Sequence, residues 1–119
     1  MMLSYFNLSE FDCQETGENA MDEGFLYALD DLREECGFPF IITSGYRSTE
    51  HSIEANKSEP GPHSRGIAAD IACTSSPQRH TIVQLALEMG CFTGIGIHSD
   101  FIHLDMDDRY VDVMWVYGS

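Results

Sequence analysis

Asp70 is the residue that most restricts how this chain can fold. It stands inside Ile67-Ala68-Ala69-Asp70-Ile71-Ala72-Cys73, a run that is otherwise apolar and small and reads as a strand. A carboxylate in such a strand is costly unless a cation or hydrogen-bond donors meet it. Side chains alternate along a strand, so Ala68, Asp70 and Ala72 share one face while Ile67, Ala69, Ile71 and Cys73 take the other. The carboxylate thus stands on a face of alanines, with room beside it for a metal. A second apolar run, Phe101 to Met106, places Phe101, His103 and Asp105 on one face and Ile102, Leu104 and Met106 on the other. His103 and Asp70 can therefore face the same side of one sheet.

Two further positions extend the pattern. His63 lies in a Pro/Gly/Ser-rich loop seven residues before Asp70, and Asp100 lies three residues before His103. His63, Asp70 and His103 together supply two imidazole nitrogens and one carboxylate oxygen, a ligand set for one Zn2+. Three protein ligands leave a fourth tetrahedral position open, which marks a catalytic rather than a structural zinc. Asp100 is then free to act as a base on a water at that position.

The rest of the chain supplies the frame. Residues 1–18 read as an irregular lead-in, pinned by Tyr5, Phe6, Leu8 and Phe11. Asn19 is placed as the N-cap of a helix, with Asp22 and Glu23 in its first turn. Met21, Phe25, Ala28, Leu29, Leu32 and Cys36 form its apolar stripe, and Gly37 and Pro39 end it. A strand over Phe38 to Thr43 delivers Ser44-Gly45-Tyr46-Arg47. The loop from Ser48 to Arg65 is long enough to suggest function; His51 and Lys57 within it are expected to be solvated. Ser76 caps a second helix with Pro77 at its first position, striped by Ile82, Leu85, Ala86 and Met89 and closed by Gly90. His80 is expected on its surface. Gly94 to Ile97 reads as a short strand whose glycines suggest close backbone approach. His98 to Asp100 is a turn, and Val111 to Tyr117 a last strand. The pattern predicts one α+β domain over residues 1–119, with two main helices and a mostly antiparallel sheet.

Charge narrows the partners. The net charge of −14 disfavours nucleic acid and anionic membrane, both of which repel such a surface. We read it as a solubility feature rather than a lure for cations, because much of it lies away from the proposed site. No apolar run approaches the roughly 20 residues of a membrane span, so no membrane insertion is expected. The N-terminal residues lack the basic and apolar segments of a secretory signal, so synthesis in a cytoplasm is expected. Cys13, Cys36, Cys73 and Cys91 form no C-x-x-C pair. They suit small buried positions in a reducing compartment, and disulfides after export stay open.

Ser44-Gly45-Tyr46-Arg47, then His63 to Asp70, then Gly94-Ile95-Gly96-Ile97-His98 and Asp100-Phe101-Ile102-His103 occur in that order. This arrangement resembles the zinc D-Ala-D-Ala carboxypeptidase family, which includes murein endopeptidases, phage endolysins and vancomycin-resistance dipeptidases. The resemblance is nearest to short phage-endolysin-like members. It implies a Hedgehog-type fold, one zinc, and hydrolysis of an amide in peptidoglycan stem peptides or cross-links by a monomer. D,D-carboxypeptidase, D,D-endopeptidase and L-Ala-D-Glu endopeptidase activities all fall within it, and action at the cell wall would need a route across the membrane. It further implies that Asp100 is the catalytic base, that Arg47 holds the scissile carbonyl or a substrate carboxylate, and that His98 supports the oxyanion. Asp105 is read either as a partner that orients a ligand histidine or as a solvated carboxylate. Two other functions stay in view: a non-catalytic zinc module of the same fold, and a cytoplasmic D-Ala-D-Ala dipeptidase. Asp100 and Arg47 favour an enzyme over the first. Asp-x-x-His in place of Glu-x-x-His, with the short chain, favours a wall peptidase over the second.

Overall fold

The computed structural model describes every residue except 56, 58 and 119. After a 3-10 turn at Leu8–Phe11 come helix α1 (Glu23–Cys36) and strands β1 (Ile42–Ser44) and β2 (Ala68–Ala72). Helix α2 (Ser76–Met89) follows, then β3 (Gly94–Ile97), β4 (Phe101–Asp105) and β5 (Val113–Val116). The strands form one sheet in the order β1-β2-β4-β3-β5. The β1–β2, β2–β4 and β3–β4 pairings are antiparallel, and β5 joins β3 in parallel. This is the expected α+β architecture.

One core fills the space between the helices and one face of the sheet. Phe25, Leu26, Leu29 and Leu32 of α1 meet Ile82 and Ala86 of α2 and Ala69, Ile71, Ile95, Ile102 and Leu104 of the strands. The alternation read from the sequence holds in β2 and β4: the apolar parity enters the core, and Asp70, His103 and Asp105 are left on the opposite face.

The element ends differ from expectation in instructive ways. Helix α1 starts at Glu23, and its cap is Asp22, whose carboxylate accepts the N–H of Phe25 at 2.9 Å. Asn19 instead ties the lead-in together, donating to the Leu8 carbonyl and to Asp12 while accepting from Met21 N. Ser75 rather than Ser76 caps α2, which moves Pro77 to the second helical position. Gly37 and Gly90 take left-handed φ of 77° and 73° and end the helices as expected. Strand β1 begins only at Ile42; before it, Phe40 packs tilted against both Phe6 and Phe38. In the lead-in Phe6 and Phe11 are buried, but Tyr5 and Leu8 are exposed. The missing anchor is polar: buried Asp30 of α1 accepts the N–H groups of Ser4 and Tyr5, both at 2.9 Å. All four cysteines are free thiols, Cys13 and Cys73 buried and Cys36 and Cys91 half-buried.

Candidate metal centre

The register aligns the site as a row across the sheet. Ser44 sits opposite Asp70, Asp70 opposite His103, His103 opposite Gly96, and Gly96 opposite Trp115. Opposed residues in a sheet share a face, so all five present side chains, or the lack of one, to the same side. Gly96 is the gap in the row. A Cβ there would lie 2.8 Å from the rings of Trp115 and Tyr117, and Trp115 leans across it to within 5.2 Å of the His103 ring. The next row repeats the device: Gly94 lies opposite Asp105, whose carboxylate fills the space a Cβ would need.

His63 arrives from the loop before β2. Gly66, at φ 75°, turns the chain there, and a side chain at Gly66 would strike the backbone at Ala20 and Met21. The His63 ring stands 5.1 Å from that of His103. His63 Nε2 lies 3.3 Å from Asp70 Oδ1, and His103 Nδ1 lies 3.0 Å from the same oxygen. His63, Asp70 and His103 are all buried and form the cluster able to hold a metal among the described residues.

The outer contacts of the two rings set their proton positions. His63 Nδ1 is 2.8 Å from the Gly45 carbonyl oxygen, which can only accept, so Nδ1 carries the proton. His103 Nε2 is 2.6 Å from Asp105 Oδ2 and donates to that carboxylate. Each ring therefore turns its other nitrogen toward Asp70, where two lone pairs and a carboxylate oxygen converge at about 3 Å. Such a convergence suits a bound cation. Tetrahedral zinc with bonds of about 2.0–2.1 Å places its ligands about 3.3 Å apart, so the donor set and spacing fit the ion. With protons alone, burial disfavours the His103 imidazolium, but Asp105 and Asp70 outweigh it and raise the ring's pKa. Burial likewise opposes the Asp70 carboxylate, and the two histidines reverse this, holding it well below the usual carboxylate range.

The cluster lies in a cleft of about 880 Å3 that also takes in Arg47, Phe101, Asp105, Trp115 and Tyr117. Arg47 is fixed there: Nη2 donates to Ser44 Oγ at 3.1 Å and Nη1 to Glu54 Oε2 at 3.2 Å. Glu54, which sequence reasoning passed over, is buried. Its Oε2 also accepts from Lys57 Nζ at 2.7 Å, and its Oε1 accepts from Gly61 N at 3.1 Å. Burial alone would raise its pKa, but Lys57, the Gly61 amide and Arg47 bring it down to about 2. Glu54 thus links Arg47 to the turn that precedes His63. Lys57 is exposed, as expected, with its ammonium on Glu54 at the edge of the cleft. His51, expected likewise, is clasped by Glu15 at 3.1 Å. His80 is exposed, as expected.

Asp105 resolves to the orienting role rather than the solvated one, since it is buried against His103. Asp100 and His98 are not brought to the candidate metal site. The Asp100 backbone N–H donates to His98 Nδ1 at 3.0 Å, and this tight turn leaves the carboxylate side chain 75% exposed. His98 stacks on Phe101 with ring centroids 4.5 Å apart and borders a separate shallow depression beside Arg79. The register alone does not reveal this, because both residues precede the first paired residue of β4. The Gly45 carbonyl and Glu54 escaped sequence reasoning because neither carries a local signal: one is a main-chain atom, the other an acid in an acidic loop.

A family model described as Peptidase M15 matches residues 4–105, well over half of the chain. No curated protein matches it. The matched segment contains Arg47, His63, Asp70, Asp100 and His103 and ends at Asp105, before β5.

Proposed function

The chain belongs to the peptidase M15 family, and on that premise we propose that it is a zinc-dependent peptidase that hydrolyses an amide in peptidoglycan stem peptides or cross-links. The observation that carries this reading is the convergence of His63 Nε2, Asp70 Oδ1 and His103 Nδ1 on the floor of a peptide-sized cleft. Zinc held there would supply Lewis acidity and bring the pKa of a coordinated water toward about 7. The chain's own residues do the rest. Gly45 and Asp105 hold the two imidazoles in the correct tautomers. Arg47, pinned by Ser44 and Glu54, presents a planar cation to the scissile carbonyl. Phe101, Trp115 and Tyr117 give the substrate an apolar wall.

We assign the proton-accepting role to Asp100. The cleft carboxylates other than the Glu59 rim contact are engaged deeply: Asp70 and Asp105 by histidines, Asp107 by arginines. Asp100 has only a 4.0 Å approach to His98 and is free to turn. Its reach to substrate requires the β3–β4 turn to move, and catalytic contacts often tighten only in the complex. We place the chain with the short endolysin-like members, acting as a monomer at the cell wall. His98 is kept as a support for the oxyanion through the same turn movement.

The exposed resting position of Asp100 favours one second reading, a zinc-binding module of this fold without hydrolysis. A single experiment decides: zinc-replete protein is incubated with purified peptidoglycan and the fragments are identified by mass spectrometry. Released peptides name the bond, and Asp100→Asn is expected to lower the rate about a hundredfold with zinc content unchanged. No released fragment from well-folded, zinc-loaded protein would leave the binding module.

A further inference from the structure

The cleft has a second fixed guanidinium, Arg109, beyond the segment that the family model matches. It is held by Asp107, a buried carboxylate. Asp107 Oδ1 accepts from Arg109 N at 3.1 Å and from Arg109 Nε at 3.0 Å, and Oδ2 accepts from Nη2 at 2.8 Å. Arg65 Nη1 reaches the same Oδ1 at 2.9 Å. Two arginines therefore share one buried carboxylate, and Arg65 also meets the exposed Asp108 at 3.4 Å. The Asp107 N–H donates to Asp105 Oδ1 at 3.0 Å, and Asp105 in turn holds His103. A short chain of hydrogen bonds thus fixes the position of Arg109 relative to the candidate metal ligands.

One edge of the Arg109 guanidinium is spent on Asp107. The other, at Nη1, meets Glu59 Oε2 at 3.5 Å and no other carboxylate among the described residues, and that glutamate side chain is 77% exposed. Such an exposed pair is weak and easily displaced. It also shows that a carboxylate can approach Nη1 from the cleft side. Half of the chain's six lysines and arginines, Arg47, Lys57 and Arg109, line this cleft, alongside Glu59, Asp70, Asp105 and Asp107.

We infer that Arg109 forms a carboxylate subsite, recognising an acidic group of the substrate away from the amide that is cut. This rests on the reading of the cleft as a peptide-hydrolysing site. A lysine-type stem peptide offers two such groups, the α-carboxylate of its γ-linked glutamate and the C-terminal carboxylate. A planar guanidinium pinned along one edge suits either.

Isothermal titration with L-Ala–γ-D-Glu–L-Lys–D-Ala–D-Ala tests the subsite, alongside the same peptide amidated at one or the other carboxyl. Peptide integrity is checked by mass spectrometry after each run, and melting curves are recorded for each variant. Arg109→Gln is expected to weaken binding of the free peptide about tenfold. Amidation of the recognised carboxyl should weaken wild-type binding to the same degree and make Arg109→Gln silent, which identifies the group. Arg109→Lys should fall between. Arg65→Gln touches the same Asp107 but not the cleft, and is expected to leave affinity within about twofold. The subsite is overturned if the wild type binds none of the peptides, or if Arg109→Gln weakens all three alike or none. It is equally overturned if Arg65→Gln reproduces the Arg109→Gln loss. Arg109-dependent binding of a peptide recovered intact would keep the subsite and remove hydrolysis. Cleavage without Arg109 dependence would do the reverse.

Discussion

Asp105 shows how much a single carboxylate outside a ligand set can decide. It holds the Nε2 proton of His103, accepts the Asp107 amide, and occupies the space left by Gly94. Asp105→Asn keeps the shape but offers His103 a neutral amide instead of an anion. Zinc affinity is expected to fall about 10- to 100-fold, read by competition with a chromogenic chelator. Unchanged affinity would mean that His103 needs no orienting partner. Glu54 gives a pH signature of its own. Its pKa is about 2 in the fold against an ordinary 4.5, so its contribution to stability is present above about pH 4.5 and is lost as the pH falls toward 2. The stability gap between wild type and Glu54→Gln, from urea unfolding, should be constant near neutrality and shrink below about pH 4.5. A gap that does not vary with pH would show that the buried carboxylate gains nothing from Arg47, Lys57 and Gly61. Both residues also mark what the sequence could and could not tell. Asp70 and His103 were legible because a charge or imidazole at one parity of an apolar strand has few explanations. Glu54 was not, because its burial depends on a loop folding back over it.

At the scale of elements, the strands that carry the site were read more accurately than the segments that join them. Periodicity assigns β2 and β4 to the right faces because one residue of slip would turn Asp70 into the apolar core and Ile71 onto the cleft face. The helix caps and the start of β1 shifted by one to four residues, since several neighbouring acids and serines can cap and only tertiary packing chooses. Strand β3 shows why two glycines alternate in an interior strand, where the missing side chains would otherwise weaken it. Their Cβ positions are taken by Asp105 on one row and by Trp115 and Tyr117 on the next. Gly96→Ala is therefore expected to cost about 1–3 kcal/mol in urea unfolding and to push the Trp115 ring off His103. A cost near zero, with helix content and zinc binding intact, would show that the aromatic wall yields freely.

Over the whole molecule, a net charge of −14 is carried by a body of 35 × 34 × 25 Å. At about 0.01 M salt the screening length is about 30 Å, comparable to the molecule, so the acids repel one another across it. At about 1 M it is about 3 Å, and only contacting pairs still interact. The melting temperature should thus rise between these limits, whereas a fold held mainly by surface ion pairs would lose stability. Scanning calorimetry at fixed pH distinguishes the two. The same comparison bears on the cleft, where Arg47 and Arg109 keep carboxylate partners at contact distance and so should hold their positions at high salt.

The parallel pairing of β5 with β3 has a further consequence. The β3–β4 hairpin closes through a short local turn, but β5 must be carried round to the far side of β3 before it can pair. Its Trp115 is the sole tryptophan of the chain, and neither the helices nor the buried core contains another. The protein therefore carries an intrinsic optical label on the wall of its cleft and none in its interior. Emission at tryptophan wavelengths reports when the last strand has docked beside His103, while far-ultraviolet dichroism reports the helices, so one sample yields separate clocks for the scaffold and for the completed cleft.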